Sequence, residues 1–275
     1  MLILATGTSG TIGKHLSNRV CPLPADLMSY DSITNSFENF NKSRDSSLVH
    51  LAGVVGKIEV EKNIGHSRKI NIHGTEILAE NFKKNYFGKF YYISSSHVYE
   101  SSNLAIDEEY KTKPRTLYAS QKLEAEELLI DMFSDAPERL CILRLFSVLD
   151  WDTAPFTLGG GIRKLIDSDS NFKLQYSNDV RDFLTPRKIA ETILNLVEVG
   201  TAYGVVNLCS NVGTQIVDAC TRMLSESNFK VPYSRIVSGN SDDPKIIGNN
   251  SRLLQHLPKL VLDWKPTRIS DQRLI

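Results

Sequence analysis

A doubly wound α/β fold, with a parallel sheet between two layers of helices and a smaller C-terminal lobe, is what this sequence predicts. Three observations carry the prediction. Short apolar runs alternate with longer amphipathic ones through the first 150 residues, the rhythm of strand–helix–strand units in a parallel sheet. A run rich in glycine, "ATGTSGTIG", follows directly on the first apolar run. The 275 residues, 41% hydrophobic and 23% charged, have the make-up of a globular chain long enough for one large core.

Taken in order, "MLILATG" reads as a buried strand and "TIGKHLSNRV" as the helix after it. "DLMSYD" is expected as the second strand, "SLVHLAG" as the third and "FYYISSS" as the fourth. A long helix carrying Ile70, Ile77, Leu78 and Phe82 is expected over residues 59–85, a second from Tyr118, and then the strand "LCILRLF". Beyond Trp151 the pattern loosens. "IRKLID", "KIAETILNLVE" and "QIVDACTRMLSES" read as helices, "FKLQY" and "GVVNLC" as short strands, and the tail "KLVLDWKPTRISDQRLI" as irregular. The expected organisation is one doubly wound domain over residues 1–150, to which parts of 176–210 return, with a smaller lobe over most of 151–275.

Several classes of function are disfavoured. Lys+Arg and Asp+Glu both number 32, so no basic excess points to nucleic acid or an anionic membrane. No apolar stretch reaches membrane-spanning length, and the opening residues lack the basic stretch and cleavage site of a secretory leader. Cys21, Cys141, Cys209 and Cys220 are scattered without a C-x-x-C pair, which disfavours zinc and a disulfide framework. No metal-ligand spacing appears among the histidines, and no G-x-S-x-G elbow is present. A cytoplasmic protein without a metal is expected.

Gly7, Gly10 and Gly13, with Thr11 and Ile12 between the last two, stand at the strand-to-helix turn. Glycine suits a tight turn, close backbone approach to a pyrophosphate and close helix-to-strand packing. The following helix start would add unpaired N–H groups and a partial positive charge. A dinucleotide site is the expectation. An acidic residue about 20 positions on would hold the adenosine ribose. Asp31, closing "DLMSYD", is the candidate and favours NAD, with NADP as the alternative. The competing reading is that Asp31 only caps the helix "DSITNSFENF".

"TLYASQKLEAEELL" begins a charged amphipathic helix in which Tyr118 and Lys122 lie one turn apart on one face. By itself this pair reads as packing beside a solvated lysine. The strand ending in Ser94, Ser95 and Ser96 changes that reading, because strand C-termini face the ligand crevice in such folds. If a serine, Tyr118 and Lys122 converge there, the cation lowers the phenol's pKa from ~10. The tyrosine then exchanges a proton with a substrate oxygen while hydride moves to or from nicotinamide. The lysine would also bond the nicotinamide ribose, and the serine would hold the reacting oxygen.

Gly7-x-x-Gly10-x-x-Gly13, "HLAG" (His50, Leu51, Ala52, Gly53), "NIHGT" from Asn71, "SSSHVY" and Tyr118-x-x-x-Lys122 together resemble the extended short-chain dehydrogenase/reductases, the NAD-dependent epimerase/dehydratase family. Each motif alone is weak; their order and spacing are specific. In the second half "LRLFSVLD", "NDVRDFLTPRKIAETI" and "LDWKPT" are more loosely similar to the family's segments. The resemblance implies a Rossmann fold and a nucleotide-sugar substrate. It implies Tyr118 as general acid/base, Lys122 as its electrostatic partner and Ser95 as the catalytic hydroxyl. Leu51, Ala52 and Gly53 would line the cofactor, and Asn71 would lend a supporting hydrogen bond. Ser96 and Ser147 would border the substrate, and Arg181 would grip its diphosphate, unless that guanidinium merely pairs with Asp179 or Asp182. A homodimer is also implied.

Departures refine this. Ser147 replaces the family's phosphate-side asparagine, Glu100 stands where V-Y-G has glycine, and Thr185-Pro186-Arg187 replaces an acidic segment. Ser96 and His97 occupy the places of the Asp-Glu pair of nucleotide-sugar dehydratases, which disfavours water elimination. The expected reaction is C4 epimerisation through a keto intermediate. The alternatives are 4-keto reduction with exchanging cofactor, the same chemistry on a non-nucleotide carbonyl compound, and a non-catalytic dinucleotide sensor.

Overall fold

Strand β1 (Ile3–Thr6) is buried throughout and is the second strand of a six-stranded sheet. The computed structural model describes residues 2–16, 19–38, 45–151, 153, 157–167, 172–174, 177–226, 236–238 and 245–265. The sheet adds β2 (Cys21–Pro22), β3 (Ser47–His50), β4 (Phe90–Ser95), β5 (Leu140–Leu145) and β9 (Gly204–Leu208). Their order is β2-β1-β3-β4-β5-β9, every pair parallel. The chain leaves β1 toward β2 on one side and returns to β3 on the other, so the ligand crevice of a doubly wound sheet falls at the ends of β1 and β3.

Both faces of this sheet are covered, as a parallel sheet requires. Along β4 the side chains alternate. Tyr91 and Ile93 join Ile3, Ala5 and Val49 in a core against Ile189, Ile193 and Val197 of α7 (Pro186–Val199). Phe90 and Tyr92 join Leu4, Leu48 and Ile142 in the opposite core. That second core is closed by α1 (Tyr30–Glu38), α4 (Thr75–Asn85) and α5 (Leu117–Met132) through Phe37, Phe82 and Leu129. Each large apolar side chain so buried contributes roughly 1.5–3 kcal/mol. Helix α7 begins where Thr185 accepts the Lys188 amide at 3.2 Å with Pro186 behind it, and ends at Gly200 with φ +67°. The unusual Thr-Pro pair is thus a helix start.

Two expected elements differ. The helix expected after β1 begins, among the described residues, as a 3₁₀ turn, Gly13–His15, with β2 only eight residues after Gly13; Ser17 and Asn18 lie outside the described residues. "DLMSYD" is not a strand: β2 pairs through Cys21 and Pro22, a proline tolerable at an edge. Asp26 accepts the Met28 amide at 2.9 Å and turns the chain into α1. Asp31 therefore lies exposed in the first turn of α1, where a carboxylate suits the helix dipole. A residue there can favour the helix start and still reach a ribose, so both readings of Asp31 stand.

The long helix expected over 59–85 is broken into α2 (Lys57–Lys62), α3 (Ile64–Arg68), a π turn (Lys69–Gly74) and α4. Asn63 leaves helical backbone at φ −150° and caps α3 by accepting the His66 amide at 3.0 Å.

The C-terminal lobe is built on β8 (Val180–Leu184). It pairs with β10 (Gly213–Gln215) antiparallel, and with β6 (Ser147–Val148) and β12 (Lys245–Ile246) parallel. Helices α6 (Leu158–Asp167) and α8 (Ile216–Glu226) enclose Trp151, Ile162, Phe183, Met223 and Trp264. The Trp264 indole donates to the Leu149 carbonyl at 2.9 Å. A two-stranded pair, β7 (Phe172–Leu174) with β11 (Ile236–Ser238), and α9 (Ser251–His256) lie in the same half of the chain. Asp182 of β8 accepts from Ser210 N (2.7 Å), Ser210 Oγ (2.6 Å), Asn211 N (2.8 Å) and Gly248 N (3.3 Å). Pro266 and Thr267 of "LDWKPT", Gln175 and Tyr176 of "FKLQY" and Ser227 lie outside the described residues. Among those described, no helix is long and apolar enough to cross a membrane.

Candidate active site

The end of β1 folds into a turn so close that little but glycine fits. A methyl on Gly7, whose φ is +70°, would stand 2.6 Å from Ala52 N, and one on Gly13 would stand 2.1 Å from Gly7 O. Gly10 donates its amide to Gly7 O at 3.0 Å and is itself exposed, with Thr11 and Ile12 half-buried beside it. The 3₁₀ turn that follows, Gly13–His15, adds less of a dipole than a full α-helix start would. What remains is a tight backbone loop over which a ligand can come close.

Ala52 touches this loop, and its neighbour Gly53 reaches the opposite end of the site. A methyl at Gly53 would lie 2.9 Å from Asn71 Oδ1 and 3.9 Å from Lys122 Nζ. Asn71 projects from the π turn, a local irregularity often found at functional sites. It accepts from Val54 N (2.8 Å) and donates to Val54 O (3.0 Å) and Gln121 Oε1 (2.9 Å). The cradle made by Gly7, Leu51, Ala52 and Gly53 is continuous from the glycine turn to Lys122. It suits an elongated dinucleotide.

Beneath the cradle runs a buried polar chain. Thr6 Oγ1 meets His50 Nδ1 at 2.6 Å, and His50 Nε2 meets Thr75 Oγ1 at 3.0 Å. Burial, with Lys122 nearby, pulls the His50 pKa down to about 3. Between pH 6.5 and 3 the unfolded chain binds a proton that the native state refuses. Stability from this residue is therefore full above pH 6.5 and lost as the pH falls. The expected loss is about 1.4 kcal/mol per pH unit, or roughly 2 kcal/mol at pH 5. Urea unfolding of wild type and His50→Gln at pH 7.5 and 5.0 checks this: equal pH dependence in both would refute it.

Ser95 ends β4, and Tyr118 begins α5 one residue after Leu117; Thr116 caps that helix by accepting the Ala119 amide at 3.2 Å. The structure sets Ser95 beside Tyr118, close enough to pull the phenol's pKa down. Lys122, one turn on, donates to the Ile93 carbonyl at 2.8 Å and lies 4.6 Å from the centre of the Tyr92 ring. The electrostatics depart from expectation. Burial pushes the Tyr118 phenol up to about 12, only partly offset by Ser95. Burial also brings Lys122 down to about 8, against the pull of Glu126. The Lys122 ammonium is aimed at a carbonyl and a ring face.

Beside Tyr118 opens a cleft lined by His97, Tyr99, Ser101, Arg115, Thr116, Arg181 and Ile246. The His97 ring stands edge-on to Tyr118, 6.4 Å between centres, with burial and Arg181 lowering its pKa. Arg181 donates to Asp179 at 2.6 Å, so the ion-pair reading and the cleft location hold together. Ser96 is buried in the 3₁₀ turn Ser96–Val98. Ser147 pairs with Phe183 on β6 and is not among the cleft-lining residues, and neither is Asp31. Sequence reasoning missed Arg115 and Tyr99 as cleft residues. Their only local signal is closeness in sequence to Tyr118 and Ser95.

A glycine loop at the switch point, joined by one cradle to a Ser-Tyr-Lys cluster, is the arrangement of the extended short-chain dehydrogenase/reductase class. The chain belongs to the NAD dependent epimerase/dehydratase family, whose sequence pattern matches residues 3–209. It is 25% identical to the GDP-6-deoxy-D-mannose reductase of Pseudomonas aeruginosa, over 99% of this chain and 94% of that one. It is 22% identical to the UDP-glucose 4-epimerase of Pasteurella multocida, over 100% and 95%. Among solved structures, RMD from Pseudomonas aeruginosa complexed with NADPH superposes with a TM-score of 0.81 at 25% identity, over 97% and 94% of the two chains. MoeE5 in complex with UDP-glucose and NAD gives 0.80 at 17% identity, over 96% and 94%, a likeness of fold.

Proposed function

We propose that the protein reduces the 4-keto group of a nucleotide-sugar with NAD(P)H. The observation that carries the reading is the meeting of Ser95, Tyr118 and Lys122 at the end of the glycine cradle, in a chain similar over nearly its whole length to a GDP-6-deoxy-D-mannose reductase. A carbonyl accepting hydride needs a proton on its oxygen, and a protonated phenol is the form that gives one. Ser95 holds the same oxygen, and Lys122 stabilises the phenolate left behind. The nicotinamide dinucleotide supplies the hydride. Gly7, Gly10, Thr11, Ile12 and Gly13 would take its pyrophosphate, and Leu51, Ala52, Gly53, Tyr118 and Lys122 its nicotinamide half. Arg181, beside His97 and Arg115 in the cleft, would hold the substrate diphosphate with the planar fork that suits it. The likeness to a GDP-6-deoxy-D-mannose reductase across nearly the whole chain supports this direction.

A C4 epimerase is the second reading, favoured by the full-length likeness to a UDP-glucose 4-epimerase. Elimination of water is not supported, since Ser96 and His97 put no carboxyl group after Ser95. A dinucleotide sensor would have no use for the Ser95–Tyr118–Lys122 cluster. Denaturing the purified protein and identifying released nucleotide by mass spectrometry separates the two enzymes. The reductase is expected to release little and to consume added NADPH or NADH with a 4-keto nucleotide-sugar. Stoichiometric NAD, with interconversion of UDP-glucose and its C4 epimer, would establish the epimerase instead. Protein that binds no dinucleotide at all would defeat both.

A further inference from the structure

We infer that the buried Glu126–Arg144 pair is a positioning device, holding α5 in register on β4 so that Tyr118 lies on Ser95 and Lys122 on the Ile93 carbonyl; the inference rests on the catalytic reading above. Three successive residues of β4 each take one residue of α5. Ile93 O accepts from Lys122 at 2.8 Å, Ser94 Oγ donates to Glu126, and Ser95 faces Tyr118. Tyr118, Lys122 and Glu126 are spaced by four, so they form one row along the helix. The contacts of Tyr118 and Lys122 are those of the reaction. The third lies deeper, and Glu126 is 1% exposed.

A carboxylate at that depth needs a partner. Arg144 of β5 supplies it through Nε (3.2 and 3.1 Å) and Nη2 (2.7 Å). Its guanidinium lies 4.6 Å from the centre of the Tyr99 ring, and the Tyr99 hydroxyl donates to Asn207 Oδ1 of β9 at 2.8 Å. One polar chain thus fixes α5 against β4, β5 and β9, and Tyr99 carries it to the cleft wall. Neighbouring positions on α5, Ala119, Ala125 and Leu129, are fully buried and apolar. An apolar residue at 126 would serve packing as well, since a buried ion pair adds little net stability over apolar replacements. What an apolar residue cannot supply is a directional bond to Ser94. The charged and titratable groups facing Lys122 are Tyr118 and Glu126 on its own helix, Tyr92 of β4 and His50 of β3, with Arg144 of β5 reached through Glu126. Glu126 is the one acid among them.

The test replaces both members, Glu126→Leu with Arg144→Met, because breaking one alone leaves a buried charge that can unfold the chain. Three quantities are read: melting temperature and NADPH affinity, turnover with a 4-keto nucleotide-sugar, and the Lys122 titration followed by lysine ¹³Cε NMR without substrate. The double variant is expected to keep its melting temperature and NADPH affinity and to lose roughly 10- to 100-fold in kcat. Its Lys122 midpoint should move to lower pH, with the high-pH limb of kcat following. Wild-type kcat and an unmoved midpoint would overturn the inference. Glu126→Asp is the second variant if the double one does not fold: it keeps the charge but shortens the reach, so kcat should fall while the midpoint stays. Wild-type kcat in that variant would overturn the inference equally. Tyr118→Phe with wild-type turnover would instead overturn the catalytic reading itself.

Discussion

Tyr118→Phe lowers kcat by about 10²–10⁴-fold, the usual worth of a positioned general acid, and leaves NADPH affinity nearly unchanged. The substitution removes one oxygen and little else. The phenyl ring keeps its edge-on packing with His97, and the helix start, set by the Thr116 cap, does not depend on the hydroxyl. The proton that a reduced carbonyl needs would then have to come from water, and Ser95 would lose the hydroxyl beside it. Steady-state kinetics together with fluorescence titration of NADPH check both halves. A variant that turns over within twofold of wild type would remove Tyr118 from the reaction. One that fails to bind NADPH would mean that the phenol serves the cofactor and not the substrate.

The second large effect is expected at the glycine turn, and it separates two roles that the motif combines. Gly13→Ala places a methyl 2.1 Å from Gly7 O and 2.6 Å from Thr8 Cα, both backbone atoms. Overpacking of this kind costs about 1–3 kcal/mol, and the loop must open to relieve it. A melting temperature lower by several degrees and NADPH affinity lower by about tenfold or more, some 1.4 kcal/mol, are expected together. Gly10→Ala differs: its methyl meets only Gly7 O, at 3.2 Å, in an exposed position. It should leave the melting temperature almost unaltered while still weakening NADPH, because the methyl would occupy the space a pyrophosphate approaches. If Gly10→Ala binds NADPH like wild type, the phosphates do not cross this turn.

These outcomes mark where the sequence is legible. The sheet could be read because its strands are runs of buried residues, such as "FYYISSS", flanked by helices with an apolar stripe. The Ser95, Tyr118 and Lys122 cluster could be placed because strand ends and a helix start meet at one side of a doubly wound sheet. What was misread depends on very short or long-range features. β2 is two residues long, below any periodicity, so "DLMSYD" took its place. The break at Asn63 is a single residue off helical backbone inside an otherwise helical pattern. The sheet around β8 joins segments from Ser147 to Ile246, pairings that no local pattern announces. The phenol's raised pKa follows from burial, which is a property of the whole packing and not of a four-residue spacing.

The four bonds accepted by Asp182 bear on how the cleft is held. Its carboxylate collects donors from the exit of β9 and from the residue that precedes Asn249, so three separate passes of the chain are fastened at one buried point. The strand that carries Arg181 is therefore anchored one residue away, where the lobe meets the end of the main sheet, and that anchor fixes where the guanidinium enters the cleft.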